Sequence, residues 1–278
     1  MEPSTLNRQL VGSARLVWLG FLALAGLCGE AQSMPPMARD AQPAWEVATV
    51  KPSPPDEVGT GYGGPPRHFK TGAKTLNDLI TFAYRINTKQ VAGGPDWVKT
   101  AKFDIVASDP DQPGNPSDDQ TRGMMRKLLE QRFGLQYHHE ARQMSAFVLN
   151  VAKGGPKLTP CKPVPDGGIT FYFAPKLGNL HYGNVSLDTW GAWMENSVFD
   201  RPLVNHTGIA GCWDGTLNFA VDETQFIAWR IKVVLDESPD APPPIYTAIQ
   251  QQMGLKLDAE KTAVDVLVLD HVERPTEN

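Results

Sequence analysis

The sequence predicts an α+β protein of two related ββαββαββ-like halves, with mainly antiparallel sheets and helices packed on one face. Three observations carry that expectation. Four stripes of apolar residues recur at helical spacing, runs rich in β-branched and aromatic residues alternate between them, and one segment is written twice, as Gln131-Arg-Phe-Gly-Leu135 and Gln251-Gln-Met-Gly-Leu255.

The first helix is expected to open at Thr75, an N-cap with Asp78 three residues on, and to bury Leu76, Leu79, Ile80 and Ala83. The second follows Ser117-Asp-Asp119 and carries Met125, Leu128, Leu129 and Phe133. The third begins at Ser186 with Leu187, Trp190, Met194 and Val198 on one face; Trp193 is a neighbour of Trp190, which continues the core stripe. The last starts after Pro242-Pro-Pro244, since proline suits a helix's first turn, and carries Ile245, Ala248, Ile249 and Met253.

Strands are expected at Trp45–Val50, Ala146–Val151, Thr170–Phe173 and Val264–Leu269, where alternation and β-propensity agree. Gly134 and Gly254 stand where a left-handed residue ends a helix, and without a gap Glu140 then falls on Glu260 and Val148-Leu149 on Val268-Leu269. Helix, glycine stop, strand, short turn and strand are thus expected twice. The other helices correspond too, Thr75-Leu-Asn with Ser186-Leu-Asp. The first half is assigned to 44–158, a Pro/Gly-rich linker to 159–168, and the second half to 167–278, overlapping the linker's end and carrying an insertion near 222–242 read as a strand or hairpin arm. So long a period is a domain duplication rather than a solenoid.

Ahead of these lie a basic stretch with Arg8 and Arg15 and an apolar run from Leu16 to Leu27. Such a run covers about 18 Å as a helix against a hydrocarbon core of about 30 Å. It is therefore read as a signal peptide over 1–33, cleaved after Ala31 or Ser33, followed by a flexible segment at 34–43. Contact with a membrane is expected only through the uncleaved signal, and the mature protein is placed in the periplasm or outside the cell. The net charge is −5, and the two acidic and two basic residues of 1–33 cancel, so the mature chain is as acidic. An acidic chain without a basic stripe gains nothing from counterion release, which excludes nucleic acid as a partner. Of three cysteines, Cys28 leaves with the signal, and Cys161 and Cys212 are expected to form a disulfide in an oxidising compartment.

The chain carries no local signature of catalysis. There is no Gly-x-Ser-x-Gly elbow or Ser-x-x-Lys, and no catalytic residue is assigned. His138-His-Glu140 draws attention as a metal site, yet on a strand His139 points away from the other two; no metal ligand is assigned. The Gly-rich stretches at 59–66, 93–95 and 154–156 lack phosphate-loop spacing and read as turns, so no cofactor is expected. Phe226, Trp229 and Arg230 on the insertion form the expected contact surface, because interfaces favour Trp, Phe and Arg. The 52–66 loop is the second expected contact.

Together, Trp45-Glu-Val-Ala-Thr-Val-Lys-Pro52, Gly93-Gly-Pro-Asp-Trp97, Leu128-Leu-Glu-Gln-Arg-Phe-Gly-Leu135, Val151-Ala-Lys-Gly-Gly-Pro-Lys-Leu158, Thr207-Gly-Ile-Ala-Gly211 and Val266-Leu-Val-Leu-Asp-His-Val-Glu-Arg-Pro275 span nearly all of the mature chain. Through these motifs the chain resembles a family of exported bacterial proteins of unknown function called soil-associated proteins. The resemblance implies export and the tandem layout, and no activity or catalytic residues. Cys212-Trp213 and the 222–242 insertion depart from that family's pattern. At fold level the repeated unit also looks like the small N-terminal modules of secretins and TonB-dependent receptors. The functional expectation is a non-enzymatic envelope or secreted binding module, with an envelope protein or extracellular ligand as partner. The alternative is a secreted hydrolase with its site between the two halves.

Overall fold

Each longer helix starts where a side-chain oxygen takes over an orphan backbone N–H. The computed structural model describes residues 34–65, 67–162, 168–226, 231–236 and 238–276, so the expected signal at 1–33 lies outside the described residues. In chain order the elements are β1 (Val47–Pro52), β2 (His68–Thr75), α1 (Leu76–Tyr84), a 3-10 turn (Thr88–Gln90), β3 (Val91–Gly93), α2 (Trp97–Thr100), β4 (Lys102–Ser108), α3 (Asp118–Phe133), β5 (Gln136–Val151) and β6 (Thr159–Pro160). There follow β7 (Thr170–Phe173), β8 (Asn179–Val185), α4 (Leu187–Ser197), β9 (Leu203–Asn205), β10 (Trp213–Asn218), α5 (Ile245–Ala248), which runs into a π turn (Ile249–Met253), and β11 (Leu255–His271).

Thr75 caps α1 in a reciprocal box with Asp78, Ser117 caps α3 in another with Gln120, and Ser186 caps α4 through the Thr189 N–H at 3.0 Å. Gly134 and Gly254 end the second and fourth helical segments at φ 59° and 66°. At Gly254 a Cβ would also overlap the Gly155 carbonyl oxygen, so this position excludes side chains twice over.

Three sheets result, ordered β1-β4-β2, β6-β10-β8-β7 and β3-β11-β5-β9. All pairs are antiparallel except β3 on β11 and β9 on β5, which are parallel. The expected strand, turn and strand after each glycine stop is corrected here. β5 is one strand of 16 residues and β11 one of 17. Neither contains Gly or Pro to make a turn, and the polar stretches Glu140–Gln143 and Asp258–Lys261 are paired with β-sheet partners rather than bent. The polarity marks where each strand passes from one core to the other. Each part therefore ends in one strand, and the first gains the short helix α2 between β3 and β4.

The N-terminal core gathers Leu79, Ile80, Ile105, Leu129 and Phe133, and is completed by Leu267 and Leu269 from β11. The C-terminal core gathers Leu180, Trp190, Met194 and Leu217, and is completed by Phe147 and Leu149 from β5. The central ladder is symmetric in register. Gln143 faces Ala263, Val91 of β3 faces Leu267, and Leu203 of β9 faces Phe147.

The strands feeding α1 and α4 share a local device. In β2 a bulge puts Ala73 at φ 50°, and its N–H donates to Asp104 Oδ1 on β4 at 2.8 Å. In β8 Asn184 sits at φ 55°, and its N–H donates to Asp214 Oδ1 on β10 at 2.8 Å. Two residues after each bulge comes the helix cap, Thr75 or Ser186. One difference stands out: β1 pairs with β4, whereas β7 pairs with β8.

Cys161 and Cys212 are joined in a disulfide, with Cα atoms 5.3 Å apart, beside the short β6–β10 pairing. The linker thus begins as a strand of the C-terminal sheet; residues 163–167 lie outside the described residues. Described residues 231–236 of the insertion carry no strand, so the extra strand expected there is absent from them. No helix among the described residues is long and apolar enough to cross a membrane.

Candidate binding cleft

Helical spacing puts Asp78 and Phe82 on one face of α1, with the C-cap Arg85 just beyond them, and Thr189, Trp193 and Asn196 on one face of α4. These two faces wall one cleft of about 800 Å³. That lies within the roughly 300–1,000 Å³ of ordinary small-molecule sites. Phe82 and Trp193 each stand seven residues after their helix's cap. Each carries a stacked partner. Tyr62 lies on Phe82 with ring centroids 4.2 Å apart and planes at 13°, and Phe171 lies on Trp193 at 4.6 Å and 5°. All four rings are half-buried, neither sealed in a core nor free in solvent.

The α1 wall is cationic. The Arg122 guanidinium sits over the Phe82 ring at 4.6 Å, and the Lys74 ammonium over Tyr62 at 4.7 Å. Arg85 and Arg122 share the Asp118 carboxylate, and Arg122 also donates to the Phe82 carbonyl. Burial would raise the Asp118 carboxyl, yet hydrogen bonds and charge from Arg122 and Arg85 hold it below the usual range. The Tyr62 hydroxyl donates to the Asp78 carbonyl at 3.0 Å, and burial followed by the Asp78 charge keeps this phenol protonated far above its ordinary range.

The floor is the turn after α1 meeting the end of α4. Asn87 donates its amide to the Glu195 carbonyl at 2.9 Å, and Lys89 donates to the Asp200 carbonyl. Gln90 next to them donates to the Asp265 carbonyl on β11 at 2.9 Å. The Glu195 side chain is 4% exposed, and its Oε2 accepts the Leu203 N–H at 2.7 Å. Burial pushes this carboxyl up to about 8, against the opposing effect of the Leu203 and Asn87 backbone donors. At neutral pH the floor therefore carries a neutral acid rather than a negative charge. A further cavity of about 1140 Å³ adjoins across Lys74 and Lys89, with residues 58–62 in its wall.

Of the expected contact residues, Phe226 is not in this cleft. Phe226 is fully buried, edge-on to Phe173 with centroids 5.3 Å apart, because it fills the C-terminal core. It offers no surface in this structure. Trp229 and Arg230 lie outside the described residues. The expected 52–66 loop does reach the cleft, through Tyr62. His138 and His139 each meet a separate carboxylate, Asp270 at 2.8 Å and Asp265 at 2.7 Å, and do not converge.

Sequence reasoning missed Phe82, Phe171, Trp193 and Glu195. Two signals pointed to them: Phe82 and Trp193 share one distance from matched caps, and Glu195 falls on the apolar stripe of α4 beside Met194, where an acid is costly.

No curated protein and no solved structure matches the chain. One family profile, described as a protein of unknown function (DUF3738), matches residues 77–272, which take in both helices of the cleft while leaving out Tyr62. Since that match covers most of the sequence, the chain belongs to the DUF3738 family.

Proposed function

We propose that the protein is an exported, non-enzymatic binding module, built from two related halves, that holds a small ring-bearing ligand from outside the cell in the cleft between α1 and α4. The observation that carries this reading is the pair of stacked aromatics, Tyr62 on Phe82 and Phe171 on Trp193, on opposite walls of one cavity of small-molecule size. Aromatic walls with a few polar groups are the usual make-up of such a site.

Relatedness of the halves is supported by register. With Gly134 aligned on Gly254, Gln143 is the counterpart of Ala263, and the two are cross-strand partners. In the same alignment Phe147 is the counterpart of Leu267, and each takes its short parallel partner there. The matched bulges at Ala73 and Asn184 support it further. Export is supported by the basic and apolar leader and by the disulfide, which persists in oxidising compartments.

A hydrolase is the second reading, favoured by Glu195, a carboxyl in a cleft raised to about 8, as a general acid would be. It ranks lower because Oε2 is occupied by the Leu203 N–H and the second carboxylate that such chemistry needs, Asp200 in the same lining, is engaged by Arg201.

The test is titration calorimetry of the mature protein with a panel of aryl acids, aryl alcohols and sugars, repeated on Phe82→Ala and Trp193→Ala. Saturable binding that weakens at least tenfold in both variants supports the cleft. A ligand held equally by both variants, or a panel with no binder, defeats the reading, and turnover of any panel ester or glycoside abolished in Glu195→Gln would transfer it to the hydrolase.

A further inference from the structure

The two walls match in position but not in charge. The third residue after Phe82 is Arg85, the C-cap of α1; on α4 the third after Trp193 is the uncharged Asn196. Lys74 and Arg122 lie over the α1-side rings, so three cations stand along one wall. The α4 wall offers the flat Phe171–Trp193 stack with Thr189 and Ala192 beside it, and its ionised acid, Asp200 just past α4, is paired with Arg201 and Lys89. This cationic strip belongs to a protein of net charge −5, so it is a local feature and not a reflection of composition. Three carboxylates lie beside its two guanidinium groups. Asp118 is shared between Arg85 and Arg122, Asp119 takes Arg85, and Asp78 is committed to the capping box of α1. Guanidinium groups have five donors each, which leaves donors beyond these bonds to meet an anion.

We infer that the cleft takes an aromatic carboxylate, its ring lying against Phe171 and Trp193 and its carboxylate directed to the Arg85 and Arg122 side. The inference rests on the cleft being a ligand site at all and adds the chemical class and orientation of the ligand. A planar apolar body suits the flat aromatic wall, and a single compact anion suits the opposite one across a cavity of about 800 Å³. A neutral acid at the floor, Glu195, adds no repulsion to an incoming carboxylate below its own pKa. A sugar acid would satisfy the cations and waste the flat wall; a neutral ring would do the reverse.

The experiment measures binding to the intact mature protein by calorimetry with 2-naphthoate, 2-naphthalenemethanol, glucuronate and inorganic phosphate, each at low salt and in 0.5 M NaCl. The expected result is saturable naphthoate binding, at least tenfold tighter than the alcohol, weakened severalfold by salt, and reduced at least tenfold in Trp193→Ala and in Arg85→Gln. The salt and alcohol comparisons need no variant, so they decide the matter even where a substitution fails to fold. Equal binding of acid and alcohol overturns the anion assignment and leaves the cleft reading standing. Tighter binding of glucuronate or phosphate than of naphthoate overturns the aromatic assignment. Binding of none of the four, while the wider panel finds a ligand dependent on Phe82 and Trp193, overturns only this inference; failure of both panels overturns the cleft reading with it.

Discussion

Asn87 and Glu195 meet across the floor of the cleft, the Asn87 amide donating at 2.9 Å to the main-chain carbonyl of the residue whose side chain is the most deeply buried acid in the structure's described residues. Holding that carboxyl in a dry floor has a pH signature. Its folded pKa is about 8 against an ordinary value of 4.5, so between those values the folded protein binds more protons than the unfolded chain. Stability is therefore fully present below about pH 4.5 and lost as pH rises toward 8. At about 1.4 kcal/mol per pKa unit the loss is a few kcal/mol. Glu195→Gln keeps an oxygen for the Leu203 N–H and removes the charge. Urea midpoints across pH 5 to 9 should fall in the parent and stay flatter in the variant, which should be the more stable protein at the alkaline end.

The two helix-ending glycines differ in what surrounds them. Gly134→Ala meets nothing nearer than the His271 ring at 3.6 Å and bears only the left-handed conformation, a cost of about 1 to 2 kcal/mol. Gly254→Ala must also displace the backbone at Gly155 and Lys157. Chemical denaturation should show the second substitution costing clearly more than the first, and equal losses would refute the close approach.

Leu267 is 1% exposed and belongs to the N-terminal core although β11 closes the chain. Leu267→Ala should cost about 2 to 5 kcal/mol, as core truncations do. Amide exchange should locate the loss of protection in α1, α3 and β4. Confinement of the effect to the C-terminal sheet would contradict the exchange of strands.

Reduction of the Cys161–Cys212 bond opens a loop whose cysteines stand 51 positions apart. The chain-entropy model sets its contribution at about 4 kcal/mol, an upper figure in practice. Thermal melts with and without reductant should differ by several degrees, and Cys161→Ser with Cys212→Ser should melt where the reduced parent does, indifferent to reductant.

What could be read from the sequence is what nearby residues decide. Thr75, Ser117 and Ser186 cap helices, and Gly134 and Gly254 stop them, because each acts within one turn. The continuity of β5 was hidden because alternation weakens over Glu140–Gln143, where the strand lies between cores with no buried face to impose it. The cleft was hidden for a different reason. Phe171 finds Trp193, and Tyr62 finds Phe82, through loops and sheets whose placement depends on β3 and β9 docking far along the chain. Phe226 reads as surface in the sequence because Phe, Trp and Arg together have the composition of an interface, whereas in the fold it is buried edge-on to Phe173.

The exchange of long strands also sets a timetable for biosynthesis. A ribosome delivers every other buried residue of the N-terminal core by Leu135, but Leu267 and Leu269 only with β11. Until then the first core has an open side, and what emerges is a chain whose earliest domain-sized piece waits for its latest strand. Folding of that leading piece as the chain is made is thereby deferred until β11 has been synthesised.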